Sequence, residues 1–208
     1  MNRNLLLTGI ICFALSVVFI CFWILNNFIH GVEFNEFTAY SDLVVVEWIV
    51  LIFCEIIFLK YFQSKKYKAA FVTSLISAIT FMVLYTSVFT FFKGIGSGAF
   101  INLFFTVHLI AAITFSLSLV FSKASERPIL KYAGVLSALV GSIVLATHIY
   151  GLNLVEGATL NIVLEIQLWS SRFGDALILM LFALNFYQEL RPEGSVSLAH
   201  FKKRIIDG

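Results

Sequence analysis

Seven ionisable side chains stand inside long apolar runs of the 208-residue chain: Glu47, Glu55, His108, His148, Glu165, Arg172 and Asp175. In hydrocarbon each needs a partner, a proton or a function, because an unpaired charge there costs several kcal/mol. Glu165, Trp169 and Arg172 follow one another at spacings of four and three, which places them on one face of a helix. Asp175 follows Arg172 by three and can bridge to it. The guanidinium must be paired at such a depth, and Asp175 or Glu55 is the expected partner. Four carboxylates against one arginine leave an excess of three acids. Protons, a cation, a metal ion or protonated histidine must hold that excess.

These residue types leave several chemistries open. As a transport or binding site, Arg172 holds an anionic group or counter-ion, the carboxylates and histidines exchange protons or bind a cation, and Trp169 and Trp48 form a wall. As a metal site, His108, His148, Glu47 and Glu165 offer a His/carboxylate ligand set. Each would come from a different apolar run, with no H-E-x-x-H or similar pairing. As a haem site, His108 and His148 would be axial ligands on consecutive antiparallel helices, although His148 falls nearer the surface. In the plainest case Arg172 forms a buried ion pair that fixes helix register.

The elements that would position these residues are transmembrane helices. The chain is 60% hydrophobic and 12% charged, far from the roughly 25% charged composition of soluble domains. Apolar segments at about 5–25, 43–62, 69–92, 99–122, 130–151 and 160–187 can each cross a core about 30 Å thick. The expected fold is an all-α integral membrane bundle of six helices in one domain, built from three helical hairpins that recur every ~60–65 residues. Pro128 and Pro192 both fall between or beyond the runs, so no span is broken by proline. The run from Leu5 to Leu25 is too long for a signal-peptide core and reads as a retained first helix.

Orientation follows from lysine and arginine. Lys60, Lys65, Lys66 and Lys68 mark one connection, Lys123, Arg127 and Lys131 another, and Arg191, Lys202, Lys203 and Arg204 the tail. The segments 26–42 and 151–159 have none, and the first carries Glu33, Glu36 and Asp42. The turn Gly94-Ile95-Gly96-Ser97-Gly98 has Lys93 alone. This alternation predicts both termini in the cytoplasm of a cell or inner membrane. Tyr61, Tyr67, Tyr132 and Tyr187 are expected at the cytoplasmic boundary, and Trp23, Trp48, Tyr40 and Tyr150 at the outer one. In this frame every intramembrane ionisable group lies at or above the midplane, Glu55, Arg172 and Asp175 nearer the middle, and the cytoplasmic half is almost purely apolar.

Two small-residue surfaces predict close helix packing. Thr73, Ser77, Thr80 and Ser87 share a face of the third run, and Gly134, Ser137, Gly141 and Ser142 mark the fifth. Cys12, Cys21 and Cys54 fall within apolar runs and read as buried small hydrophobes, not as a disulfide framework.

In size and topology the chain resembles the substrate-capturing membrane components of energy-coupling-factor vitamin transporters, which implies six helices and an outer-half site. The Ala-x-x-x-Ala coupling motif is missing from Leu5–Leu25, which offers only Ala14. Val45-Val46-Glu47 and Phe104-Phe105-x-x-His108 are similar to subunit III of haem–copper oxidases, without that family's paired histidines. Walker, Rossmann, zincin, selectivity-filter, retinal-lysine and serine intramembrane-protease patterns are absent from the sequence.

The function expected is transport or small-molecule binding, with a proton- or cation-handling site in the outer half lined by the seven ionisable residues and Trp169. The alternatives are a membrane metalloenzyme or haem protein acting at the outer leaflet, or a non-catalytic subunit of a larger membrane complex. The lipid bilayer is the expected partner, with an ion or small molecule and a homo-oligomer or larger complex as further candidates. A net charge of +2 gives no reason to expect nucleic acid.

Overall fold

Backbone polar groups inside a bilayer must bond within their own segment, which helices achieve. The computed structural model describes residues 3–30, 41–92, 94, 97–153 and 158–190, with the side chains of 41, 92 and 158 excepted. Its elements are α1 (Arg3–His30), α2 (Ser41–Ser64), α3 (Lys68–Phe92), α4 (Gly98–Phe121), a short 3-10 turn (Lys123–Glu126), α5 (Pro128–Gly151) and α6 (Ala158–Leu190). Pro128 occupies the first turn of α5, where its missing N–H costs nothing and its fixed φ starts the helix.

Five helices, α1 and α3 to α6, are long and apolar enough to cross a membrane, which is consistent with an all-α membrane bundle. The sixth, α2, differs because Asp42, Glu47, Glu55 and Lys60 put three charged side chains into every 18-residue stretch of it. The ends also differ from expectation. The first helix continues through Asn26 and Asn27 to His30, and the last spans 33 residues. Most of the acidic segment 26–42, including Glu33, Glu36 and Tyr40, lies outside the described residues, as do Lys93, residues 154–157 and the basic tail.

Successive helices pack side by side, and α1 closes the ring against α6. Burial on α1 falls at Leu6, Gly9, Phe13, Ser16, Ile20, Trp23 and Asn27. That alternation of three and four is the seam of a coiled coil. A matching seam on α3 buries Ala70, Ser74, Ser77, Phe81 and Leu84. At the α4–α5 contact a Cβ on Gly134 would stand 2.7 Å from the Ser116 carbonyl and 2.8 Å from the Leu119 Cβ. Ser116 also donates to Ser137 across the same contact at 2.7 Å. The third-helix hydroxyls act similarly: Thr73 donates to Ser118 at 2.8 Å, while Ser87 turns away and bonds its own helix. By contrast, α2 packs less closely on α1 and α3 than the other neighbours pack on each other.

The core is aromatic and sits toward one end of the ring. Phe13 stacks on Phe58 at 5.0 Å and meets Phe186 edge-on at 5.2 Å, while Phe58 lies 4.4 Å from Phe182. This half adjoins the end where Lys65, Lys66, Lys68, Lys123, Arg127 and Lys131 gather, called the basic end below. Trp23 and Tyr61, expected as boundary rings, are both fully buried, whereas Tyr132, Tyr150 and Tyr187 are exposed. Cys54 is buried as expected, but Cys21 is exposed on the outside of α1.

Candidate functional site

Glu47 lies on the inward seam of α2 with Val44, Cys54, Phe58 and Tyr61, and is itself buried. Packing the α2 seam against α1 brings it to Trp23, whose indole Nε1 donates to Glu47 Oε2 at 2.7 Å. From α6, Arg172 Nη1 stands 3.7 Å from Glu47 Oε1. One carboxylate therefore joins three helices. This corrects the expected pairing of Arg172 with Asp175 or Glu55. Spacing along one helix favours the former, but the long arginine stem reaches across the ring to a buried acid on α2.

Asp175 remains within electrostatic reach of both Arg172 and Glu47. Its position on α6 is the most informative in the molecule. Leu179, Phe182 and Phe186 follow it at spacings of four, three and four and form the inward seam, 8%, 2% and 0% exposed. Asp175 continues that seam away from the basic end and is itself exposed. Glu55, eight residues beyond Glu47 on α2, is half-buried and makes no hydrogen bond or ion pair among the described residues. Next to it, the Cys54 thiol lies 3.5 Å from Ser16 Oγ, closing the α1–α2 contact.

The other expected site residues are not brought to this cluster. Glu165 is exposed near the start of α6, and Trp169 is half-buried and stacks on Phe173 at 5.8 Å. Trp48 packs edge-on against Tyr85 of α3 at 4.8 Å and Phe89 at 6.2 Å. His108 belongs to the α3–α4 contact, with Nδ1 3.2 Å from Thr80 Oγ1 and its ring 5.8 Å from Phe81. His148 belongs to the α4–α5 contact, where it is buried, meets Phe105 edge-on at 4.7 Å and bonds the Asn102 backbone. Its Nε2 has no partner among the described residues.

Among the described residues no three His, Cys, Asp or Glu side chains come together to hold a metal ion. The set of His108, His148, Glu47 and Glu165 is thus not assembled, because its members serve different helix pairs. The two imidazoles are likewise taken up in separate contacts, so the haem arrangement gains no support from their placement.

A second polar cluster lies at the basic end, where the sequence reads as nearly apolar. Glu189, with a side chain only 6% exposed, forms ion pairs with Lys65 of α2 and with Arg127 at the start of α5, the latter at 3.3 Å. Tyr61 donates to Glu189 Oε1 at 2.8 Å, and Asn185 Nδ2 donates to the Tyr61 hydroxyl oxygen at 2.9 Å. Burial works against the Arg127 charge, but Glu189 and a hydrogen bond with Tyr67 hold its guanidinium above its ordinary value. The signal was faint but present: Asn185 and Glu189 are four apart on a helix that ends among lysines and arginines.

The arrangement can therefore do two things. At one level it sets a half-buried arginine against Glu47 and leaves Asp175 and Glu55 as acids outside that pair. At the other it ties three segments to one carboxylate. Comparison with known proteins matches the chain to no family model, no curated protein and no solved structure.

Proposed function

We propose that the chain is a small membrane transport protein that handles protons or a monovalent cation at Asp175 and Glu55. The observation that carries this reading is the exposure of Asp175 on an α6 seam that is buried at Leu179, Phe182 and Phe186. Glu47 and Arg172 offset each other, so the local excess is acidic, and a carboxylate at membrane depth retains its charge only with a cation or gives it up to a proton.

The proposed topology has six spans in three successive hairpins, with both termini and the basic end in the cytoplasm, from the lysine and arginine bias. Glu189 lies seventeen residues beyond Arg172 on α6, about 26 Å at ~1.5 Å per residue. A bilayer core of about 30 Å with Glu189 at its inner edge sets Arg172 near its outer edge, shallower than the sequence alone implies. Trp23 falls at the same level, twenty residues into α1 from Arg3. The site then opens outward, and the first turns of α6 stand beyond the hydrocarbon.

The test is ion flux in proteoliposomes holding a pH-sensitive dye, with proton, sodium or potassium gradients imposed in turn. Flux in the native protein and its loss in Asp175→Asn, with unchanged folding, is the expected result. An absence of flux under every gradient, or full flux in Asp175→Asn, overturns the reading.

A further inference from the structure

Between Asp175 and the basic end the bundle is closed by aromatic rings. Phe58, Phe62, Phe182 and Phe186 fill the seam there, all buried, with Phe115 packed against them. Two of these rings, Phe58 and Phe62, belong to α2. That helix is the one its neighbours hold least closely through the backbone. At its basic end α2 is fastened instead by side chains: Tyr61 and Lys65 both engage Glu189 of α6, which Arg127 also holds. The Lys65 and Arg127 side chains are 24% and 39% exposed, and partly solvated ion pairs of this kind contribute little each. The fastening is therefore multiple but individually weak.

A second observation lies on α3, the other neighbour of α2. Ser74 of α3 is fully buried, and its Oγ has no partner among the described residues. Counting eleven residues along each antiparallel helix from the Trp48–Tyr85 contact sets Ser74 level with Leu59, between Glu55 and Tyr61. A buried hydroxyl without a partner is unfavourable in a closed core. Such a hydroxyl gains a partner when water reaches it as α2 withdraws with its two rings.

We propose that the Glu189 cluster is a releasable latch that holds the basic end of α2 shut, and that its release opens a passage from Glu55 past Ser74. This rests on the transport reading above and deepens it: the protein alternates between an outward-open form, latched at Glu189, and a form open at the basic end. Asn185 and Tyr61 position the carboxylate, and Lys65 is the part of the latch that moves with α2.

The experiment uses the full chain with Cys12, Cys21 and Cys54 replaced by alanine and Ser74→Cys as reporter, reconstituted in liposomes. A membrane-impermeant cationic methanethiosulfonate reagent is applied from the basic side. Modification is expected to be slow with Glu189 intact and about tenfold faster in Glu189→Gln, the shift that about 1.4 kcal/mol produces. If Glu189→Gln does not fold, Tyr61→Phe keeps the ring, removes one bond to the carboxylate and is expected to accelerate modification in the same direction. Equal rates in the parent and in the variants that fold overturn the latch. The readout does not depend on transport. Accelerated labelling in a protein that moves no ion keeps the latch and removes the transport reading, whereas unchanged labelling in an active transporter removes the latch alone.

Discussion

Trp23 and Glu47 are joined across α1 and α2 by an indole N–H that donates to a carboxylate oxygen at 2.7 Å, with both side chains buried. The bond fixes α1 against the helix that carries the acidic residues, and it does so through a residue of the α1 seam. Trp23→Phe keeps most of the packing area and removes the donor. It is expected to destabilise the protein by about 1–3 kcal/mol, the cost of a buried polar atom losing its partner. Thermal unfolding in detergent checks this, and a melting point equal to that of the native protein would show that Glu47 does not depend on Trp23.

The Glu47–Arg172 pair makes a distinctive prediction because its members depend on each other. Removing one partner of a buried pair costs more than removing both, since the survivor is left as an uncompensated charge. Arg172 retains partial exposure, 21% of its side chain, so Arg172→Gln or Glu47→Gln alone is expected to cost on the order of 2 kcal/mol. The double variant is expected to recover part of that loss. Strict additivity in a double-mutant cycle would show that the two groups do not interact.

Much of the architecture was legible in the sequence, and the reasons are local. Apolar runs of bilayer length, Pro128 before the fifth run and the small residues around Gly134 each act through neighbours in the chain or through one helix face. The pairing of Arg172 with Glu47 was not legible, because an arginine stem can reach acids on several helices and spacing favours the one on its own. The Glu189 cluster escaped for a related reason: Tyr61 and Lys65 lie four apart at the end of α2, Asn185 and Glu189 four apart on α6, and spacing does not show that the two pairs meet each other and Arg127. His108 and His148 stood out by residue type but serve helix contacts, which residue type alone does not distinguish from ligation.

Lys66 offers a test of local strain. The end of α2 closes with Lys66 N–H bonded to Gln63 O and Tyr67 N–H bonded to Phe62 O. This pair of bonds places Lys66 where helices usually carry glycine. Its φ is +59°, in the left-handed region, which costs an L-residue roughly 1–2 kcal/mol. Lys66→Gly is therefore expected to stabilise the protein by up to about 1 kcal/mol, the gain reduced by the greater freedom of glycine in the unfolded chain. A bulky β-branched residue such as Lys66→Val is expected to lower stability. Paired unfolding curves of the two variants give the order directly.

Gly134 tests the α4–α5 contact. Gly134→Ala drives a methyl group against the Ser116 carbonyl and the Leu119 Cβ, at 2.7 and 2.8 Å before relaxation. Overpacking of this kind costs about 1–3 kcal/mol. Gly151→Ala, where the nearest atom is a Val163 methyl at 3.6 Å, is expected to be tolerated. Similar melting points for the two variants would show that the α4–α5 seam can yield.

The charge pattern of α2 has a consequence for how the protein is made. A lone segment with three acidic or basic groups in each stretch of membrane length is a poor substrate for the insertion machinery, where each such residue near the centre adds roughly 2.5–3.5 kcal/mol. Under the proposed six-span topology α2 is expected to enter together with α1, whose run is strongly apolar and whose Trp23 bonds the Glu47 side chain. The order of synthesis then matters as much as the final packing: α1 prepares the berth before its charged companion leaves the ribosome.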